Sequence, residues 1–385
     1  MIDCNCASFY FLRERMEKVF KRKTKEDRPV LAICYDFDKT LSPDDMQAQG
    51  YIQSVGYEVE SFWTESNGLA ESNDMDQNLA YMYTMIQKAR GRFIFNRKTL
   101  MDYGAKVSLF PGVDTWFRRI REYGETKGVI VEHYIISSGL KEMIEGTKVA
   151  NEFEKIYASS FYYDENGEAK WPAQVINYTS KTQFLFRIVK GTLDVNDSGV
   201  NDYFNPEDIR IPFRNMVYIG DSDTDIPCMK LVNSHSGHSI GVYNPETRDR
   251  RKVYKMMEDK RIKYFAPADY TDNSDLDKLV KAIIDQTASN EKLMSVHFQC
   301  KQEQVDHNMN IDSHEDREKQ KLILDLENSN SFKQTHSVIS KLKQIKKWTR
   351  GEKIQLQEIA KTNNQVSYII DDDDVADFYK SISAD

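Results

Sequence analysis

Short apolar runs alternate, up to about residue 287, with stretches in which apolar side chains recur every three or four positions; the alternation predicts strands covered by helices. Residues 30–35, 129–136, 155–163, 216–219, 239–243 and 262–265 read as strands. Asp164-Glu165-Asn166-Gly167 is a turn signal, so the third strand is expected to return as a hairpin toward Trp171. Helical spacing recurs over 7–23 (Phe9, Phe11, Leu12, Met16, Val19, Phe20) and over 75–90 (Leu79, Met82, Tyr83, Ile86, Ala89). It returns after Pro111-Gly112 (Val113, Trp116, Phe117, Ile120) and after Ser180 (Phe184, Leu185, Ile188, Val189), which puts Lys181 in the first turn of a helix.

The order of these elements implies an α/β fold: a three-layer, Rossmann-like, mostly parallel sheet with an inserted helical segment and a C-terminal helical extension. The expected boundaries are an N-terminal helix at 1–28, a core at 29–42 and 109–287, and a helical insertion at 43–108. A polar linker is expected at 288–329, within which 299–320 reads as a linker or a solvated helix, and a helical module at 330–385, with helices at 332–345, 354–360 and 375–382. Phe62, Trp63, Phe93 and Phe95 read as packing within the insertion, and Arg90, Arg92, Arg97 and Lys98 as a solvated face. Lys341 to Arg350 reads as a solvated helix surface in the same way.

Composition narrows the classes of function. The 385 residues carry a net charge of −8, which argues against a nucleic-acid binder, and a hydrophobic fraction of 40% suffices for a sizeable core. Cys4, Cys6, Cys34, Cys228 and Cys300 are odd in number and scattered, which is no disulfide framework, and no second pair joins Cys4-x-Cys6 at zinc-ligand spacing. His297, Cys300, His307 and His314 match no closed metal site. With no basic-then-apolar leader and no run of about eighteen apolar residues, the expectation is a soluble cytoplasmic protein with no membrane contact.

The candidate chemistry lies at strand ends, where open α/β sheets gather their functional groups. Asp36 and Asp38 follow the first strand in Asp36-Phe37-Asp38-Lys39-Thr40; alone, that pattern is short enough to arise by chance or to cap a helix starting near Pro43. Ser137 follows the second strand, ahead of its competitor Ser138, and Asp221 and Asp225 follow the fourth in Gly220-Asp221-Ser222-Asp223-Thr224-Asp225. His133 reads as a packed strand residue and Asp223 as a loop residue, while Asp45 is a candidate for substrate contact.

In order and local context these four motifs, with Lys181 as the third, resemble the haloacid-dehalogenase-like superfamily of phosphohydrolases, over about residues 29–285. The insertion resembles the family's cap of the phosphoserine-phosphatase type. The resemblance implies a magnesium-dependent phosphomonoester hydrolase with Asp36 as nucleophile, forming an aspartyl-phosphate, and Asp38 as general acid and base. It further implies Ser137, Lys181 and Thr40 around the phosphate. Mg2+ would be held by Asp36, the backbone carbonyl of Asp38, Asp221 and Asp225. Lys39 departs from the family, which often has a small residue there, and Ser222 replaces a frequent glycine. The expected substrate is a small phosphorylated metabolite, and the C-terminal helices are a candidate surface for a protein partner. Rival readings are phosphotransfer to an acceptor other than water and a regulatory protein that keeps the fold as a scaffold.

Overall fold

The computed structural model describes residues 20–204, 208–309, 314–345 and 347–383. Seven strands form one sheet: β1 (Val30–Tyr35), β2 (Ile130–Leu140), β3 (Lys155–Tyr163), β4 (Ala169–Gln174), β5 (Met216–Gly220), β6 (His238–Tyr243) and β7 (Tyr264–Pro267). Their order is β4-β3-β2-β1-β5-β6-β7, parallel throughout except for β4, which pairs antiparallel with β3 as the hairpin signal requires. The strands read as continuous apolar runs because both faces are covered. Leu31, Ile33 and Tyr35 of β1 enter one core, and Val30, Ala32 and Cys34 enter the other.

Between β1 and β2 come α1 (Tyr51–Ser54), α2 (Val59–Ser72), α3 (Gln77–Ala89), α4 (Arg97–Gly104) and α5 (Val113–Thr126). Trp116, Phe117 and Ile120 of α5 share a core with Phe62, Tyr81, Met82 and Met85 of the insertion. The buried side of α3 is turned from the side the periodicity picks out: Tyr81 and Met85 are inside, while Tyr83 is 48% exposed. No helix begins at Pro43; a single 3-10 turn at Met46–Ala48 stands there instead. The short α6 (Lys141–Gly146) follows β2. The opposite face is covered by α7 (Thr182–Lys190), α8 (Ile226–Ser234) and α9 (Arg251–Glu258).

One helix, α10 (Asp275–Met309), buries Leu276, Val280, Ile283 and Ile284 against the first core and runs on through the segment expected to be a polar linker. Beyond it α11 (His314–Glu327), α12 (Phe332–Leu342), α13 (Arg350–Thr362), α14 (Asn364–Tyr368) and α15 (Asp373–Ser383) close around a third core of their own. Leu322, Ile323 and Leu326 belong to that core, so the helical module begins before residue 330. Among the described residues no helix is long and apolar enough to cross a membrane.

The expected N-terminal helix lies outside the described residues up to residue 19, as do Cys4 and Cys6; residues 20–23 are not helical. Arg22 pairs with Asp197 at 2.7 Å, and Lys23 pairs with Glu132 and Glu154. Glu132 lies buried on β2, where Arg210 grips both its oxygens at 2.7 Å and Tyr134 donates a third hydrogen bond. Burial alone would raise this carboxyl, but Arg210, Lys23 and Tyr134 outweigh it and bring it down to about 2. His133 is the packed residue expected, pushed down to about 3 by burial. Its Nε2 meets the Phe117 carbonyl, which can only accept, so Nδ1 accepts from the Tyr35 hydroxyl, which in turn accepts from Trp116 Nε1.

Arg210→Met leaves the buried Glu132 charge to Lys23 and Tyr134 alone and should destabilise the protein by about 3 kcal/mol in denaturant unfolding at pH 7. The Glu132 contribution is present above the ordinary carboxyl range and is lost as pH falls toward 2, so the gap between variant and wild type should narrow in acid.

Candidate active site

Backbone register brings the motifs together. Tyr35 stands opposite Ile135 on one side and Ile219 on the other, and the Asp36 amide donates to the Ile219 carbonyl at 3.0 Å. Residues 36, 137 and 221 therefore leave neighbouring strands at one edge of the sheet. β2 does not end at Ile136 as expected but runs irregularly to Leu140, its pairing with β3 interrupted between those residues. After Asp36 the chain coils tightly, with the amides of Thr40, Leu41 and Ser42 all returning to the Phe37 carbonyl. Lys39 takes a left-handed φ of 56° to make this turn, and the Tyr270 hydroxyl holds the Thr40 carbonyl at 2.8 Å.

Lys181 sits at the residue that caps α7 rather than inside its first turn, and it is fully buried. Its Nζ donates to Asp225 Oδ1 at 2.7 Å and lies 3.3 Å from Asp36 Oδ1. Asp225 also accepts from the Tyr218 hydroxyl at 2.9 Å, and from the Ser222 amide and hydroxyl at 3.2 and 3.1 Å. Its oxygens are thus largely committed to fixing Lys181 and the loop after β5. Asp36 Oδ1, by contrast, is buried and has no hydrogen-bond donor.

Asp38 stands beside this group without joining it, and its Oδ1 accepts the Met46 amide at 2.8 Å. Ser137 is buried beside Asp36, where its hydroxyl favours the ionised carboxylate, and its Oγ accepts the Gly139 amide at 3.1 Å. The Thr40 hydroxyl is buried without a partner. The Ser138 carbonyl accepts from Tyr81 of α3 at 2.8 Å, which ties the insertion directly to the motif after β2. Asp45 forms a two-pronged pair with Lys39 at 2.8 and 2.9 Å.

Burial pushes Asp36 up to about 6 against the pull of Lys181, with Asp225 adding repulsion. Asp221 goes up to about 7 through burial and repulsion from Asp225 and Asp36. Asp38 is held well above the carboxylate range by burial, with Asp45 and Asp36 adding to the effect. Burial would lower the Lys181 ammonium, but Asp225 and Asp36 outweigh it and keep it charged. Negative charge is therefore in excess at this edge.

Asp36, Asp221 and Asp225 each offer an oxygen within 4.8 Å of the others, the one such cluster of potential metal ligands among the described residues. An Asp36 oxygen that makes no hydrogen bond and the raised carboxyls fit a bound divalent cation. The Asp38 side chain does not join the cluster, so any contribution from that residue falls to its carbonyl.

Motif reading passes over two residues. Tyr218 is hidden within an apolar strand and carries no signal. Lys252 comes within 3.8 Å of Asp221 Oδ2 and lies in the basic run Arg248-Asp249-Arg250-Arg251-Lys252, a signal that was there to use.

Residues 33–230 match the profile of the haloacid dehalogenase-like hydrolases, and the chain belongs to that family. It is therefore a hydrolase. An uncharacterized protein of Borreliella burgdorferi is 26% identical over 279 residues, which span 65% of this chain and 95% of that one. Among solved structures the chain is similar to a HAD family hydrolase of Salmonella enterica serovar Typhi, at 16% identity and TM-score 0.43 over 67% of this chain and 73% of that one. It is also similar to an unliganded probable phosphoserine phosphatase of Vibrio cholerae, at 11% identity and TM-score 0.44 over 69% and 67% of the two chains.

A Cβ at Gly220 would collide with the Asp225 carboxylate. Gly220→Ala should therefore cost about 1–3 kcal/mol in thermal unfolding, and Tyr218→Phe, which deletes one hydrogen bond to the same group, about 1 kcal/mol.

Proposed function

We propose that this protein is a cytoplasmic, magnesium-dependent phosphomonoester hydrolase that works through an aspartyl-phosphate on a small phosphorylated metabolite. The carrying observation is Asp36: a buried carboxylate whose Oδ1 makes no hydrogen bond and faces the buried Lys181 ammonium at 3.3 Å, at a strand end shared with two further aspartates. Phosphoryl transfer needs a nucleophile, an acid for the leaving group and positive charge around the phosphoryl oxygens. Lys181 supplies fixed positive charge and Ser137 a hydroxyl donor. Asp36, Asp221 and the Asp38 carbonyl would hold the magnesium ion, with Asp225 behind them; when bound it supplies charge that offsets both the carboxylates and the phosphate.

Asp36 attacks phosphorus and displaces the alcohol, which takes its proton from Asp38. Asp38 then takes a proton from water as that water attacks the phosphorus, releasing inorganic phosphate and restoring Asp36. The raised affinity of Asp38 for its proton suits the first half of this cycle. The helical insertion, joined to Ser138 through Tyr81, acts as the cap that screens the cleft from water. The C-terminal bundle supplies none of the contacts described around the carboxylates, which suits a surface for a protein partner.

Wild-type protein should hydrolyse p-nitrophenyl phosphate with magnesium and stop on chelation. Asp36→Asn should lose more than about a thousandfold in kcat; retained turnover in that variant would refute the assignment of the nucleophile. Asp38→Asn should behave differently, because p-nitrophenolate leaves without a proton while the second step still needs a base. Acid-quenched Asp38→Asn should show a mass gain of one phosphoryl group on the peptide containing Asp36, and wild type should not.

A further inference from the structure

More positive charge stands at the mouth of the cleft than attack at Asp36 requires. In a chain of net charge −8, four of the five residues 248–252 are basic, and this run follows the carboxyl end of β6, next to β5. Arg251 is engaged by Asp249, Arg250 lies over the Tyr243 ring at 5.1 Å, and Lys252 is the member that reaches the cleft, 3.8 Å from Asp221 Oδ2. Lys39 approaches from the loop after β1, held by Asp45 at 2.8 Å and near enough to favour the charged form of Asp221. Both side chains are about half exposed, 46% for Lys252 and 48% for Lys39, whereas Lys181 is fully buried and committed to Asp36 and Asp225.

Lys181 is thus taken up by the buried carboxylates, and Lys252 and Lys39 are the cations left on the solvent side of them. Asp36, Asp38, Asp44, Asp45 and Asp221 would otherwise repel any substrate with charge beyond its ester phosphate. We propose that Lys252 and Lys39 form an anion subsite at the cleft mouth, and that the substrate is a phosphomonoester carrying a second anionic group, phosphate or carboxylate. This rests on the phosphohydrolase reading. An ammonium on a flexible stem binds such a group as a point charge, so the subsite selects for charge rather than for a particular planar geometry.

The test compares fructose 1,6-bisphosphate, 3-phosphoglycerate and fructose 6-phosphate as substrates of the full-length protein. Wild type should favour at least one of the first two over the third by about tenfold in kcat/KM, and which one it favours tells phosphate from carboxylate. Lys252→Met should shrink that ratio through KM, and Lys252→Arg should restore most of it. No preference in wild type, or an equal loss on all three esters in Lys252→Met, overturns the subsite. If no phosphoester is hydrolysed, p-nitrophenyl phosphate included, the phosphohydrolase reading fails by itself. Calorimetric titration of fructose 1,6-bisphosphate into Asp36→Asn protein still decides the subsite in that case: binding lost on adding Lys252→Met supports it, and no binding overturns it.

Discussion

A lysine with no access to water is caught between two aspartates, and the rest of the site follows from that constraint. Lys181 can stay charged in the interior only because Asp225 and Asp36 face it. Asp225 can stay in place only because Tyr218, Ser222 and the missing side chain of Gly220 make room and supply donors. The compensation is incomplete, since Asp36 and Asp225 share one buried ammonium and Asp221 adds a third carboxylate beside them. The excess negative charge suits a cation at this edge and raises the proton affinity of Asp36.

The strands were legible because burial on both faces leaves unbroken apolar runs. Strand ends could be located in the same way for Asp36 and Asp221, whereas β2 runs past Ser137 to Leu140. Lys181 was harder, since a lysine beside a helix start is ordinarily solvated; here the apolar cover of α7 and the anions behind it draw the side chain inward. Tyr83 shows where periodicity fails. The hydrophobic stripe of α3 spans more than the buried face, and its contact with the motif after β2 is made by the neighbouring Tyr81. Lys252 shows itself in sequence only as the end of a basic run, and it is the sheet order that sets that run beside Asp221.

The C-terminal third is ambiguous in a different way, its composition fitting a linker or a solvated helix. Residues 288–329 are polar enough to read as a linker, yet α10 continues through Met309, with Leu293, Met294, Val296 and Phe298 exposed along it. Composition reports how much core a segment can bury, not whether its backbone is ordered; a helix anchored at one end by Leu276 and Val280 can propagate well beyond its own packing.

The amide of Asp36 is bonded to the carbonyl of Ile219, so the spacing between the first and last motifs is a property of the main chain. Peptide geometry does not vary with side-chain identity. Divergence can therefore rework the cores, the insertion and the surface while the reacting groups keep their separation, as long as those two strands remain neighbours in register. A lineage built on such a ladder is free to change what it recognises far faster than how it reacts.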